Sequence, residues 1–186
     1  MSEYENRIFN TLTATEEKFK SAFEIATHVN RIKRKLIIEF WKNVEKELNI
    51  LINENNQDFK LFVDLDIFHK NSKCFLYLNN NKKAGLIYEH LASDQSMGLW
   101  MDFTKLDMAK VNSYRMLNEN NITNFINHAW WLSYKNVNEN FNNFDSLLMI
   151  LPENSIVYSK RKAQELFDFA VANKEHLQYI ISNCIK

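Results

Sequence analysis

Four acidic residues are the strongest candidates for chemistry in this sequence: Asp64, Asp66, Glu89 and Asp102. Asp64 and Asp66 are two positions apart, so on an extended strand their carboxylates share one face. Glu89 and Asp102 belong to segments that the pattern predicts as neighbouring strands. Converging carboxylate oxygens can hold a divalent metal, which would predict a metal-dependent enzyme. The alternative, which the alternating pattern favours, places all four on the solvent side of a one-sided sheet.

Other catalytic and cofactor motifs are missing from the sequence. Two glycines are too few for a glycine-rich phosphate loop. The five histidines lack the spacing of a zinc site, and no nucleophile elbow of the Gly-x-Ser-x-Gly type occurs. Cys74 and Cys184 are isolated thiols, which indicates neither a disulfide framework nor a metal site. The sequence therefore predicts no catalytic residue, no metal and no cofactor.

A basic run at Arg31, Lys33, Arg34 and Lys35 is the best candidate for contact with phosphates. The pattern predicts a helix that begins here, and cations at a helix N-terminus oppose the macrodipole. Either this helix continues from the preceding one, or the run has a functional reason. The alternative interpretation is a solvated helix face that nearby glutamates balance.

A tryptophan pair, Trp130 and Trp131, lies in the asparagine-rich stretch "NHAWWLSYKNVNENF", with Lys135 four residues further on. An exposed tryptophan can stack on a base with about 1–3 kcal/mol, and tryptophan is enriched at protein-binding hot spots. Tryptophan is nevertheless usually well buried, and neighbours on a strand point to opposite faces. We therefore expect one tryptophan to point inward and the other to contact a partner beside Lys135. The sequence leaves open which is which.

Composition is typical of one folded intracellular domain. The chain has 186 residues, 46% of them hydrophobic, and its net charge is zero from 23 basic and 23 acidic side chains. A protein that binds nucleic acid mainly through phosphates is usually basic, so such binding here requires a local patch. The N-terminus does not resemble a signal peptide, and no apolar run reaches about 18 residues. We expect a soluble, cytoplasmic protein without a membrane partner.

Asparagine is unusually frequent, with 26 residues against two glycines and one proline. Because asparagine also tolerates the left-handed backbone region, it is expected to replace glycine in turns. Together with many Lys, Ile and Phe residues, this composition is typical of an AT-rich gene. It favours a bacterium of low GC content, or one of its phages, as the source.

The periodicity predicts a single α+β domain over 1–186, with an antiparallel sheet of about four strands packed by long N-terminal and C-terminal helices. Residues 1–55 form a helical hairpin or one long helix, in which Thr13 and Glu16 are spaced as a capping box. An antiparallel meander over 59–103 begins with the alternating "FKLFVDLDIF", where Leu65 is one of the apolar positions. Residues 104–154 are mixed, and 155–186 form a C-terminal helix.

A resemblance follows from the order of these features. A helix with "EFWKNVEKEL", a small sheet, "WWLSYK" and a closing helix resemble the C-terminal, non-catalytic region of some bacterial and phage proteins of the PD-(D/E)XK nuclease superfamily. The likeness covers roughly residues 10–185. That superfamily's active site needs an acidic residue and then an acid-x-Lys triplet on the next strand. Here such triplets occur only at 16–18 and 58–60, without a preceding strand, so the resemblance implies an accessory region without the nuclease.

Two binding functions are therefore predicted in place of catalysis. The leading hypothesis is a phage or mobile-element inhibitor that binds a bacterial defence nuclease, such as a CRISPR effector, or that nuclease in complex with nucleic acid. The alternative is an RNA- or DNA-binding accessory module. It would use the basic run for phosphates and a tryptophan for stacking.

Overall fold

The computed structural model describes residues 2–64 and 66–186, and it shows an α+β fold. The chain divides into two compact units, Met1–Leu36 and Ile37–Lys186. The described elements in chain order are α1 (Glu3–Leu12), α2 (Glu16–Glu54), β1 (Phe59–Val63), β2 (Lys73–Leu78), β3 (Ala84–Glu89), β4 (Ser96–Met101), α3 (Met108–Asn118), β5 (Trp131–Asn136), α4 (Phe144–Leu148), α5 (Pro152–Ala172) and α6 (Lys174–Asn183).

The first unit begins with a capped helix. The Ser2 hydroxyl accepts a hydrogen bond from the Glu5 N–H, and the Glu5 carboxylate accepts one from the Ser2 N–H, which is a capping box. Thr13 ends α1, and the Thr15 hydroxyl caps the start of α2 by accepting from the Lys18 N–H. The capping box expected from Thr13 to Glu16 is therefore wrong, because the chain turns between 12 and 16.

Helix α2 is continuous, so the basic run lies inside a helix and does not oppose its macrodipole. From Ile37 onward this helix has a buried apolar stripe: Ile37, Phe40, Trp41, Val44, Leu48 and Ile52. The indole N–H of Trp41 donates a 2.9 Å hydrogen bond to the carbonyl of Leu91, which satisfies its buried polar atom.

The sheet is antiparallel throughout and has the order β1-β2-β3-β4-β5. The α+β prediction is confirmed, with one strand more than the expected four, because Trp131–Asn136 forms β5 at the edge. β1 ends at Val63, and Leu65 lies outside the described residues.

Asparagine takes over the role of glycine in the turns, as predicted. Neither glycine has a positive φ. Among the non-glycine residues described with positive φ, four of the six are asparagines: Asn56, Asn79, Asn80 and Asn124.

The inner face of the sheet, marked by Leu76, Leu86 and Tyr88, packs against helices. The Trp41 ring of α2 lies 5.2 Å from the Tyr88 ring, and α5 and α6 both contact β3. The C-terminal helix expected over 155–186 is divided in two at Asn173, whose backbone (φ −110°, ψ 11°) leaves the helical region between α5 and α6. No helix in the described part of the chain is long and apolar enough to cross a membrane.

Candidate functional site

The outer face of the sheet, opposite the helix-covered inner face, carries most of the aromatic side chains outside the main core. Residues paired across antiparallel strands point to the same side, so the register defines rows on this face. One row contains Lys60, Tyr77, Gly85, Trp100 and Trp131. The next contains Phe62, Phe75, Ile87, Gly98 and Tyr134. Two of the three rows are therefore mainly apolar, and the third is polar: Lys73, Glu89, Ser96 and Asn136.

The rings of the outer face contact one another in a continuous series. Trp130 stacks on Trp100 with 5.9 Å between centroids and 18° between planes. Trp100 meets Phe75 edge-on at 5.9 Å, and Phe75 lies 5.2 Å from Tyr77. At the Trp130 end of the series, the Phe103 ring meets Trp130 edge-on, with 4.4 Å between the two centroids. The series runs from Trp130, just before the edge strand β5, across the sheet to β2.

Both glycines of the chain lie on this face. A Cβ atom on Gly85 would meet the Phe75 ring and the carbonyl oxygen of Leu76. One on Gly98 would meet the Ser133 backbone. Glycine at these positions allows the Phe75 ring to lie close to the sheet and β5 to approach β4.

Lysines lie over the rings. Lys73 Nζ is 5.9 Å from the Trp100 centroid, and Lys82 Nζ is 5.4 Å from the Tyr77 centroid, both within cation–π range. Lys60 is exposed in the same row as Tyr77. The outer face therefore combines aromatic surface with positive charge.

The two tryptophans do not divide between the faces, which differs from the expected arrangement. Trp130 is 37% exposed and stacks on Trp100, whereas Trp131 is half-buried and packs against the cluster of Phe75 and Tyr77. The physical reason is that β5 begins at Trp131. Trp130 precedes the strand, so the alternation of strand side chains does not apply to it.

Arg115 of α3 fixes the backbone of the tryptophan pair. Its Nη2 donates to the carbonyl of His128 and, at 2.7 Å, to that of Trp131. Its Nη1 lies 3.5 Å from the Asn127 side-chain oxygen. Arg115 is only 4% exposed, and burial lowers the pKa of its guanidinium. The sequence did not single out Arg115, because an arginine on an amphipathic helix is normally solvated.

Lys135 does not lie with the tryptophans. It pairs with Met97 in the register, which places it on the inner side, and its Nζ is 3.3 Å from a carboxylate oxygen of Glu165. The basic run belongs to the first unit, where Arg31, Arg34 and Lys35 are exposed and Lys33 is half-buried.

A cluster of charged and polar side chains borders a cavity of about 490 Å³ near β5 and α5. Lys162 Nζ is bonded to Glu139 at 2.7 Å and to Glu165 at 2.8 Å, and the Tyr158 hydroxyl donates to Glu139 at 2.9 Å. Only 3% of the Lys162 side chain is exposed. Since these charged groups satisfy one another, the cluster is better suited to stabilising the fold than to reacting with a substrate.

The four acidic candidates do not converge. Glu89 ends β3, whereas the Asp102 N–H donates to the Lys83 carbonyl at the opposite end of that strand. Asp64 accepts a 3.0 Å hydrogen bond from the Asp66 N–H. Within 2–64 and 66–186, no group of three or more His, Cys, Asp or Glu side chains is arranged to hold a metal ion.

Comparison of the chain with protein-family models, with curated proteins and with solved structures found no match. The resemblance to PD-(D/E)XK proteins therefore stays a prediction. Of the segments that carry it, "EFWKNVEKEL" lies in the buried part of α2, and "WWLSYK" lies in the edge strand β5 except for its first residue, Trp130, which precedes the strand.

Proposed function

We propose that the outer face of the sheet binds single-stranded nucleic acid. The observation that supports this most is the stacked pair of Trp130 and the half-buried Trp100, with Lys73 above Trp100; the Phe75 and Tyr77 rings that continue the series are buried. Every base has a π-face, so stacking on aromatic side chains recognises single strands with little dependence on sequence. Aromatic side chains on the open face of an antiparallel sheet stack two or three bases in a common class of RNA-binding domain.

The dimensions of the series suit such a ligand. It crosses from β5 to β2, which is three interstrand spacings, or about 14 Å. Trp130 and Phe62, at 37% and 43% exposure, are the rings most accessible to an incoming base. Both lie at the margins of the face, so a strand bound between them would pass over the half-buried Trp100 and the edge of the buried Tyr77.

The charge distribution predicts a moderate affinity for single-stranded nucleic acid. The chain is neutral overall, so attraction to phosphates must come from the lysines on the face itself: Lys60, Lys73 and Lys82. Three phosphate contacts on a single strand correspond to a slope of about −2 in log affinity against log salt. The binding proposed here therefore depends more on stacking than on charge.

The test is an equilibrium titration of the full chain with labelled RNA and DNA of about 12 nucleotides, a length within the range of small single-strand sites. Single strands should bind with the shallow salt slope given above. The matched duplex should bind much more weakly, because its bases cannot stack on side chains. Equal affinity for duplex and single strand, or no binding at low salt, would contradict the proposal.

The inhibitor hypothesis is the second candidate, because Trp130, Trp100 and Phe103 form an accessible aromatic group of the kind enriched in protein interfaces. It predicts binding to a purified defence nuclease with little salt dependence and no affinity for a naked single strand. The two candidates therefore give opposite results in the same titration.

A further inference from the structure

A cavity of about 400 Å³ lies between helix α3 and the segment that leads into the tryptophan pair. Six side chains line it: Asn112, Arg115, Met116, Glu119, Phe125 and Asn127. Its volume is within the range of about 300–1,000 Å³ that is usual for small-molecule sites. Of the six, only Arg115 is buried, at 4% exposure, and the others are half-buried or exposed. The buried part of the cavity wall is therefore a cation.

The guanidinium of Arg115 has hydrogen-bonding capacity that the protein does not fill. Its Nη2 donates to the carbonyl of His128 and, at 2.7 Å, to that of Trp131. Its Nη1 is 3.3 Å from the side-chain oxygen of Asn112 and 3.5 Å from that of Asn127, and both distances exceed the usual value of about 2.9–3.0 Å. Its Nε is buried and has no acceptor in the described part of the chain. Two of the three nitrogens are therefore weakly bound or unbound.

The charge of Arg115 is also unpaired. The four oxygens that face its guanidinium are neutral, since two belong to side-chain amides and two to backbone carbonyls. None of the ion pairs among the residues that the structure describes includes Arg115. A buried cation without an anion is unfavourable, and an arginine stays protonated in proteins. A water molecule would supply an acceptor for Nε but no charge, so the missing partner is an anion.

The other side chains of the cavity indicate which anion fits. Asn112 and Asn127 direct their oxygens to the guanidinium, so their side-chain NH₂ groups are free to donate to a ligand. Phe125 and Met116 add apolar surface to the wall. Glu119 places a negative charge in the same wall, which repels a dianion such as phosphate more than a monoanion. This combination fits a singly charged carboxylate with an apolar body.

We propose that this cavity binds a small monocarboxylic acid whose body is apolar or aromatic. The carboxylate lies against the guanidinium of Arg115 and accepts hydrogen bonds from the amide groups of Asn112 and Asn127. These charge-assisted bonds are stronger than the long amide contacts that they replace on Nη1. The apolar body packs on Phe125 and Met116. None of the rings of the outer aromatic face lines this cavity, so the site is separate from the proposed nucleic-acid surface.

The first test is isothermal titration calorimetry of the full chain with phenylacetate. We expect saturable binding with a Kd on the order of 1 mM, the affinity of a ligand of this size. Phenylacetamide has the same shape without the charge and should bind at least about tenfold more weakly. Inorganic phosphate should also bind more weakly than phenylacetate. Equal binding of the acid and the amide, tighter binding of phosphate, or no saturable binding of phenylacetate in the millimolar range would overturn the proposal.

The second test places a carboxylate in the cavity from within the chain. Asn112→Asp keeps the size of the side chain and pairs with the guanidinium of Arg115, so phenylacetate binding should weaken at least about tenfold. Urea denaturation should show that this variant is at least as stable as the native chain. Asn120→Asp makes the same charge change at an exposed residue outside the cavity wall and should bind phenylacetate like the native chain. Unchanged binding in Asn112→Asp would show that Arg115 does not hold the carboxylate and would overturn the proposal.

Discussion

Lys162 of α5 and Glu139, in the segment after β5, form the most buried ion pair described, with 2.7 Å between Nζ and Oε1. Glu165 supplies a second carboxylate oxygen at 2.8 Å, and the Tyr88 ring faces the ammonium at 5.3 Å. Removing an ammonium from water costs several kcal/mol, so such a group persists only with well-placed partners. The pair ties α5 to the segment that follows β5, at the opposite end of this strand from Trp131.

Replacement of the cation should therefore destabilise the fold. We expect Lys162→Met to lower the free energy of unfolding by about 2–4 kcal/mol, because Glu139 is left without its cation. Urea denaturation followed by circular dichroism measures this. Lys160→Met, at an exposed position of the same helix, should change stability by less than about 0.5 kcal/mol. The double variant Lys162→Met/Glu139→Gln should recover part of the stability that Lys162→Met loses. If Lys162→Met, Lys160→Met and the double variant all lost the same free energy of unfolding, the pair would not be the cause of the loss.

The same pair should make stability depend on acid pH. Burial raises the pKa of Glu139, but hydrogen bonds from Lys162 and Tyr158 and the charge of Lys162 together hold that pKa below its ordinary value. A carboxylate with a lowered folded pKa contributes stability above its unfolded pKa, and this contribution is lost as the pH falls through the folded pKa. We expect the free energy of unfolding to fall as the pH is lowered below about 4.5, the ordinary pKa of a glutamate.

Urea denaturation across that pH range checks the prediction. Glu139→Gln should be less stable than the native chain at neutral pH, and the difference should shrink as the pH falls. The exposed Glu153→Gln is the matched control and should follow the native curve. A constant difference between the native chain and Glu139→Gln at every pH would show that this carboxylate does not carry the pH dependence.

Arg115 should determine the order of the tryptophan segment. Its guanidinium reaches the carbonyls of His128 and Trp131 together, and the single ammonium of a lysine cannot reproduce that fork. We expect Arg115→Lys to cost about 1–3 kcal/mol of stability and to accelerate amide exchange over 127–131. Lys110→Arg, on the exposed side of α3, should change neither the stability nor the amide exchange over 127–131. Unchanged exchange over 127–131 in Arg115→Lys would refute this role.

Local periodicity was sufficient to predict most of the fold. The stripe from Ile37 to Ile52 and the strands that begin at Phe59 and Lys73 follow directly from spacings of 3.6 and 2. The outer aromatic face could not be predicted in this way. In "KCFLYL" the apolar residues point to both sides of the strand, so the pattern does not tell which side a helix covers.

The position of the tryptophans was also beyond local pattern. Trp131 pairs with Trp100, about thirty residues earlier in the chain, and the register of β4 with β5 shifts beside Trp100. Arg115 was missed for a related reason, since its carbonyl partners lie 13 and 16 residues away in an irregular segment. Contacts of this kind depend on tertiary pairing, which single-sequence spacing does not encode.

Trp130 gives the sharpest mutational test of the nucleic-acid proposal. Because Trp130 is 37% exposed while it stacks on Trp100 and meets the Phe103 ring edge-on, the exposed part of its ring is what a base can contact. We expect Trp130→Ala to weaken single-strand binding about 5- to 150-fold, the value of one stacked base. Its cost in stability should stay near 1 kcal/mol, since the ring is largely outside the core.

Phe144→Ala, at 73% exposure in α4, should leave the affinity unchanged. Fluorescence anisotropy with a labelled single strand measures all three proteins. Equal affinity of Trp130→Ala and the native chain would exclude stacking at this ring and leave Phe62 as the accessible aromatic contact of the face.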